Sequence, residues 1–238
     1  MRVLALDTTA RAGSVALAEN DGVVLERVGD PARSHTERLP GDLMRALGEA
    51  GWRSASVDAF AVVAGPGSFT GLRIGIATMQ GMSFVHGRPL FAVSALEALA
   101  HVFAAEREAG VHIGAWVDAY RREVYAALYR VRSGRSFSAE RLAQVDAPSV
   151  GIPEALLERW TGLVPRIDVL TGDGAAAFAA VIGDRAVVAP TPALAGAAAL
   201  MASIRAEAGE PADPAQVQPI YIRRPDVEVT RELARGTR

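Results

Sequence analysis

Two residue types are missing from the 238-residue chain: it has no cysteine and no lysine, so all 25 of its basic residues are arginine. Without lysine there is no Walker-type phosphate-binding amine, no Schiff-base chemistry and no pyridoxal anchor. Without cysteine there is no thiolate nucleophile, disulfide framework or Cys-ligated zinc, and thiols say nothing of redox compartment. Aromatic residues are scarce at 6%, although half of the residues are apolar. That composition suits a closely packed core of Ala, Val and Leu, in one large domain or two small ones. Against 27 acidic residues the net charge is −2. A protein with no clustered basic excess is not a stand-alone electrostatic binder of nucleic acid, because phosphates must be neutralised. The longest apolar runs, such as Ala193 to Ala202, are too short or too rich in Ala and Gly to span a bilayer, and the N-terminus enters a strand pattern with no cleavable signal. The expectation is a cytoplasmic protein without membrane contact.

What is present is a repeated strand pattern. Arg2 to Asp7 is a β-rich run ending on a carboxylate; a turn over Thr8 to Gly13 leads into Ser14 to Ala18, and Glu19-Asn20-Asp21-Gly22 reads as a hairpin turn into Val23 to Arg27. Ser34 and Glu37 have capping-box spacing ahead of a helix with Leu39, Leu43, Met44 and Leu47 on one face, which Pro40 should kink or delay. Val57 to Ala64 reads as a buried strand. It is followed by a glycine-rich turn, a helix from Gly71 to about Val85 capped by Thr70, a strand at Leu90 to Val93, and a helix from Ser94 to about Arg107. The order is βββαβαβα, with parallel strands and crossover helices expected in its later part. The second half opens alike: Val111 to Val117 ends on Asp118, which lies 111 residues after Asp7, and Val124 to Arg132 returns. A coarse β, α, β, α succession follows through Leu142 to Val145, Pro153 to Trp160, Asp168 to Leu170 and Ala175 to Ile182. This is the signature of an internal duplication. Residues 1–108 are expected to form one lobe, joined by a helix over 194–207, and 109–193 the other, with 208–238 as an extended tail.

Paired carboxylates at matched strand ends, Asp7 and Asp118, could hold a hydrated Mg²⁺ and nucleotide phosphates on the walls of one cleft. Ordinary turn chemistry accounts for either Asp equally well. Gly65, Gly67 and Gly71 let the backbone turn and approach something closely, while Ser68 and Thr70 stand at a helix start that favours anions. Tight packing within the lobe is the competing explanation. Arg73 sits in the first turn, where a cation opposes the helix dipole, so it meets an acid or lies in solvent. His35, His86, His101 and His112 show no metal-ligand spacing, neither Ser68 nor Ser94 lies in a G-x-S-x-G elbow, and no catalytic triad emerges.

Together, Leu4 to Thr9, Gly13 to Leu17, Ser34 to Glu37, Gly65 to Gly75, Asp118-Ala119 with Glu123 to Tyr125, and Pro219 to Arg223 resemble the TsaB family, also called YeaZ, over nearly the whole chain. Gly65-Pro66-Gly67-Ser68-Phe69-Thr70-Gly71-Leu72-Arg73 is its specific part. The resemblance implies an α/β fold of two lobes, the actin-like ATPase (ribonuclease H-like) fold, with duplicated βββαβα units. It further implies a non-catalytic partner and activator of the related TsaD, in the complex that forms N6-threonylcarbamoyladenosine at adenosine 37 of tRNAs reading codons that begin with A. TsaD carries a metal-binding H-x-x-x-H; the matching positions here are Ala95 and Leu99, which cannot bind a metal.

These expectations assign no catalytic and no metal-ligating residue, and place Asp7, Thr8 and Asp118 in a degenerate nucleotide cleft. The chain alone requires no cofactor, ATP and Mg²⁺ entering only beside the partner. The alternative is an actin-fold ATPase or phosphotransferase using Asp7 and Asp118 with Mg-ATP; a peptidase has no nucleophile, base or metal site to work with. The expected partners are a second copy in a homodimer, TsaD in a heterodimer that replaces it, TsaE in the larger complex, and tRNA only through that complex. The helix from Gly71 to Val85 is apolar nearly all round, with Leu72, Ile76 and Met79 on one stripe and Ile74, Thr78, Gly81 and Val85 on another. Its expected partner face is Leu72, Ile76, Met79 and Met82, with Leu39, Leu43 and Met44 from the preceding helix, because flexible thioethers suit a surface that packs against more than one partner.

Overall fold

The computed structural model describes residues 1–223. Strand β1 (Arg2–Asp7) is flanked by an antiparallel β2 (Ser14–Glu19) and a parallel β4 (Ala59–Gly65); β3 (Gly22–Val28) extends the sheet beyond β2, and β5 (Leu90–Ser94) lies parallel to β4. The spatial order is therefore 3-2-1-4-5. In the second half β6 (His112–Asp118), β7 (Val124–Val131), β8 (Leu142–Gly151), β9 (Val169–Thr171) and β10 (Val187–Val188) repeat it, in the order β10-β9-β6-β7-β8 with the same parallel and antiparallel pairs. Two sheets of identical topology, each opening with an antiparallel meander, make the duplicated two-lobed actin-like fold.

The period-2 alternation of the strands sorts residues onto two faces. Leu4, Leu6, Val15 and Leu17 point to helices α1 (His35–Glu49) and α2 (Phe69–His86), which supply Leu39, Leu43, Leu47, Ile76 and Met79. The opposite face is Val3, Ala5, Ala16, Ala18, Ala59, Ala61 and Val63, and against it lies α7 (Ala195–Glu207), an Ala-rich helix. Small side chains on both surfaces let backbone approach backbone, which accounts for a tight core made with few aromatics. Helix α3 (Ala95–Ala104) follows β5 yet packs mainly on β6, while α7 follows the second sheet and packs on β1, β2 and β4. Each half thus lends its last helix to the other. Helices α4 (Pro153–Leu163), α5 (Asp173–Ala177) and α6 (Ala179–Ile182) stay with the second sheet.

Several boundaries differ from the sequence expectation. Helix α1 runs unbroken through Pro40, which lies on the exposed side, where the Thr36 carbonyl left without a donor is open to water. Helix α2 starts at Phe69 because Ser68, and not Thr70, is the cap: its Oγ accepts from Gly71 N at 3.2 Å. Strand β8 is longer than Leu142 to Val145, and the two-residue β10 has no counterpart in the sequence pattern. The tail is irregular with one 3₁₀ turn, Pro214–Gln216, and is tied down. Val217 is buried in the first lobe's core, Gln80 Nε2 donates to Pro214 O at 2.8 Å, and Ile220 N donates to Ala64 O at 2.7 Å. Pro225 and the rest of the expected tail to 238 lie outside the described residues.

Candidate functional site

The site is built where β1 and β6 end. Asp7 Oδ1 accepts from Thr9 N (2.8 Å) and Thr9 Oγ1 (2.6 Å), closing the turn after β1. Asp118 Oδ1 accepts in the same way from Tyr120 N at 2.8 Å. Both are Asx-type turns reading two residues ahead, so the matched carboxylates do carry the turn chemistry that each Asp suggests alone. After β6 three consecutive non-glycine residues, Tyr120, Arg121 and Arg122, hold positive φ (58°, 54° and 64°). The first turn is gripped from α1: the buried Arg38 guanidinium donates to Ala12 O and Arg11 O and pairs with Asp42, and His35 Nε2 lies 3.1 Å from Ala10 O.

Thr8 does not line the cleft. It is fully buried, its hydroxyl donating to Gly71 O at 2.8 Å. A Cβ at Gly71 would overlap Thr8 O and one at Gly75 would overlap Thr8 Oγ1, so these two glycines exist to bring α2 against the β1 turn. Gly67 likewise abuts Thr9, and Ser68 N donates to Thr9 O at 2.8 Å. Among its described neighbours the glycine-rich turn serves its own lobe. Gly65 and its neighbour Ala64 meet the tail at Ile220. Among the described residues Arg73 meets no acid but an aromatic pair: its guanidinium lies 3.8 Å from the centre of the Phe69 ring, Phe69 stacks on Tyr221, and Nε donates to the Tyr221 hydroxyl at 3.3 Å. Arg223 pairs with Glu123 of the second lobe, so the tail bridges both lobes beside this turn.

The second lobe repeats the packing. Gly172 and Gly174, which flank Asp173 between β9 and α5, approach Trp116 and Val117 as Gly71 approaches Thr8, and Asp173 Oδ1 accepts from Asp118 N at 2.9 Å. Asp173 is a functional candidate that sequence reasoning misses, although the strand, Gly-Asp-Gly, helix order is its signal. Asp7 is held above the usual carboxylate range, at about 6, chiefly by burial and further by the charges of Asp173 and Glu26, against the lowering effect of Thr9. Burial also raises Asp173, with Asp118 adding repulsion. Glu26 Oε1 accepts from Gly196 N at 2.8 Å and Ser14 Oγ from Ala195 N at 3.1 Å, so the N-terminus of α7 is satisfied from within the protein.

Mg²⁺ with a nucleotide is the group this fold suggests, and the residues do not fit it in this chain alone. Asp7, Asp118 and Asp173 each accept through Oδ1, from Thr9, Tyr120 N and Asp118 N respectively. Among the described residues no three Asp, Glu or His side chains converge to hold a metal ion. The cleft wall is acidic at Asp7, Asp118 and Asp173, and with no lysine in the sequence any cation that meets phosphate there is an arginine. A cavity of about 530 Å³ opens at the mouth, between the starts of α1 and α2 and the Tyr120 turn, with Arg11, Arg33 and His35 on its wall.

The expected partner face is partly core. Leu39, Leu43, Leu72, Ile76 and Met79 are buried, Met79 at 0% exposure, because α1 packs mainly on β2 and α2 mainly on β4. The other stripe is the open one: Val85 is 79% exposed, Met44 66%, and Ile74, Thr78 and Met82 are partly covered. Ala95 and Leu99 are buried on α3 among apolar neighbours. Among the described residues no helix is long and apolar enough to cross a membrane.

Residues 14–156 match the family model described as TsaD: tRNA N6-adenosine threonylcarbamoyltransferase. The tRNA threonylcarbamoyladenosine biosynthesis protein TsaB of Escherichia coli is 35% identical over 150 residues, covering 63% of this chain and 64% of that protein. An uncharacterized protein of Mycobacterium tuberculosis is 40% identical over 132 residues, 53% of this chain and 58% of that one. The match thus spans about three fifths of the length of these curated relatives. The solved YeaZ from Pseudomonas aeruginosa superposes with a TM-score of 0.74 at 30% identity, covering 92% of this chain and 99% of that chain. With this relative and this solved structure covering it, the chain belongs to the TsaB (YeaZ) family.

Proposed function

We propose that this protein serves the formation of N6-threonylcarbamoyladenosine at adenosine 37 of tRNAs reading codons that begin with A, as the non-catalytic partner and activator of a TsaD-type transferase. The carrying observation is the open stripe on α1 and α2. Gly41 on α1 and Gly81 on α2 are interior helix glycines, Gly48 lies in the last turn of α1, and among the described residues a Cβ at any of them would meet nothing within 4 Å. Gly41 and Gly81 each cost about 1 kcal/mol of helix stability relative to Ala, and nothing among the described residues needs them. Beside Met44, Met82 and Val85 they leave a surface on which partner helices can approach the backbone closely. The Escherichia coli relative's role in tRNA threonylcarbamoyladenosine biosynthesis supports the choice of reaction. Ala95 and Leu99, apolar where the transferase has its histidines, support an activating role over a catalytic one.

The same stripe would hold two copies together until a TsaD chain replaces one, with TsaE joining the larger cytoplasmic assembly and tRNA bound through the partners' surfaces. Size-exclusion with light scattering tests it: the expected result is a dimer that becomes a heterodimer on adding TsaD, both lost in a folded Val85→Arg protein. A monomeric wild type that ignores TsaD would overturn the reading. ATP turnover by the isolated chain, lost in Asp7→Ala, would establish the ATPase alternative instead.

A further inference from the structure

The two lobes are tied at both ends of their sheets, by means that differ. Strand β2 returns along β1 so that Glu19 lies opposite Arg2, and β7 returns along β6 so that Arg130 lies opposite His112. The β2–β3 and β7–β8 connections therefore lie at the end where both central strands begin. There Arg135 of the second lobe pairs with Asp21 of the first and, at 2.7 Å, with Glu207 at the close of α7. At the other end, where β1 and β6 finish, the walls repel: Asp7 comes from the first lobe, Asp118 and Asp173 come from the second, and the charge of Asp173 reaches Asp7. What crosses between the lobes here is the tail. Val217 is buried in the first lobe's core, Ile220 N donates to Ala64 O at 2.7 Å, and Tyr221 stacks on Phe69 with ring centres 5.7 Å apart. Ile222 then packs on the apolar cluster that both sheets share, and Arg223 pairs with Glu123 of the second lobe. Glu123 is itself fixed in the turn after β6, its N–H donating to Tyr120 O and its carbonyl accepting from Ala119 N, each at 3.0 Å.

We propose that residues 217–223 form a strap that holds the cleft closed at the Asp7 end, with the Arg223–Glu123 pair as its releasable fastening. The asymmetry of the two anchors decides which end lets go. On the first lobe the strap is buried and stacked, whereas the ion pair on the second lobe is partly in water, where such a pair contributes little. Arg135, forked between two acids on folded elements, keeps the opposite end together, so release at Glu123 parts the lobes where their carboxylates face each other. An acid that competes for Arg223 therefore opens the cleft.

Because the chain has no cysteine, spin labels go only where cysteines are introduced. Ala77→Cys on α2 and Ala155→Cys on α4 replace exposed residues, one in each lobe. With the doubly labelled chain diluted in unlabelled chain, pulsed dipolar spectroscopy reads the distance within one molecule, and a single short distance is expected. Arg223→Gln and Glu123→Gln should each raise the population at longer distance about fivefold, the upper size of a partly exposed ion pair. The exchanged pair, Glu123→Arg with Arg223→Glu, should restore the short distance. Tyr221→Ala leaves both members of the ion pair in place but loosens the first-lobe anchor, and should open the cleft in the same direction. An unchanged distance in a folded Arg223→Gln or Tyr221→Ala protein, or an exchanged pair that stays open, would overturn the proposal.

Discussion

The Thr8 hydroxyl donates to the Gly71 carbonyl at 2.8 Å, and one turn further along α2 the same hydroxyl occupies the space a side chain at Gly75 would need. This contact sets how closely α2 lies on the end of β1. Gly75→Ala should destabilise the protein by about 2 kcal/mol or more through overpacking. Thr8→Ala alone should cost about 1 kcal/mol for the lost hydrogen bond. The double variant should be more stable than the sum of the two predicts, because Thr8→Ala empties the space that the added methyl group of Gly75→Ala would fill. Gly71→Ala should gain nothing from Thr8→Ala, since there the obstacle is the Thr8 backbone carbonyl. Urea unfolding of these variants decides it; strictly additive effects at Thr8 and Gly75 would show that they do not share that space.

Asp7 makes stability depend on pH in a stated direction. Its folded value of about 6 lies above the ordinary 3.8, so the folded state binds the proton more tightly. Stability from this group is fully present below about pH 4 and is lost as pH rises through 6, by roughly 3 kcal/mol in all. Asp7→Asn keeps an oxygen for Thr9 and removes the charge. It should therefore unfold at higher urea than wild type at pH 8, with the difference shrinking towards pH 4. A gap between the two proteins that does not change with pH would refute this.

The two stripes of α2 should answer differently to the same insult. Met79→Arg puts an unpaired charge into the first lobe's core and should prevent folding, and the milder Met79→Ala should cost about 2–5 kcal/mol. Val85→Arg should leave the melting temperature within a few degrees of wild type, because its side chain is already in solvent. Under the proposed partnership Val85→Arg alone abolishes self-association. Thermal melts alongside light scattering separate the two stripes.

The contrast between those stripes also marks what is legible in the sequence. Asp7 and Asp118 announce the duplicated meander because a β-rich run ending on Asp is a strong local pattern that occurs twice. The Gly65 to Gly71 turn is visible as a turn, but its reason, contact with Thr8 and Thr9, joins segments about sixty residues apart and leaves no local mark. An apolar pattern on every side of α2 cannot say which stripe is core; the strands it packs on decide that. Arg38 and Arg141 read as charge, hence surface, whereas both are buried by carbonyl groups that only the fold brings together. His101 and Tyr129 come from α3 and β7, and only the packing of α3 on the second sheet buries both.

Arg141 supplies the last prediction. Its guanidinium donates through Nε and Nη2 to Ala104 O, at 3.2 and 2.7 Å, through Nη1 to Arg132 O at 2.6 Å, and through Nη2 to Arg107 O. Every one of these acceptors is a backbone carbonyl; Ala104 is the last residue of α3, where the helix dipole is negative, and Arg107 lies in the turn that follows. The buried cation therefore ties the C-terminus of α3 to the β7–β8 connection. Arg141→Met keeps the stem but strands the Arg132 and Arg107 carbonyls, while Ala104 O retains the Arg107 amide, and should cost about 3 kcal/mol. Lys cannot replace the fork, since one ammonium on a flexible stem does not reach three acceptors in a plane, so Arg141→Lys should recover less than half of the loss. The same change has an electrical readout. Arg141 helps to keep His101 down, with burial the larger cause. In a folded Arg141→Met protein the His101 imidazole should thus titrate above its value of about 4 but still below 6.5. An NMR pH titration of the His101 ring reads that shift directly, and an unmoved His101 in a folded Arg141→Met protein would mean that the guanidinium charge does not reach the imidazole.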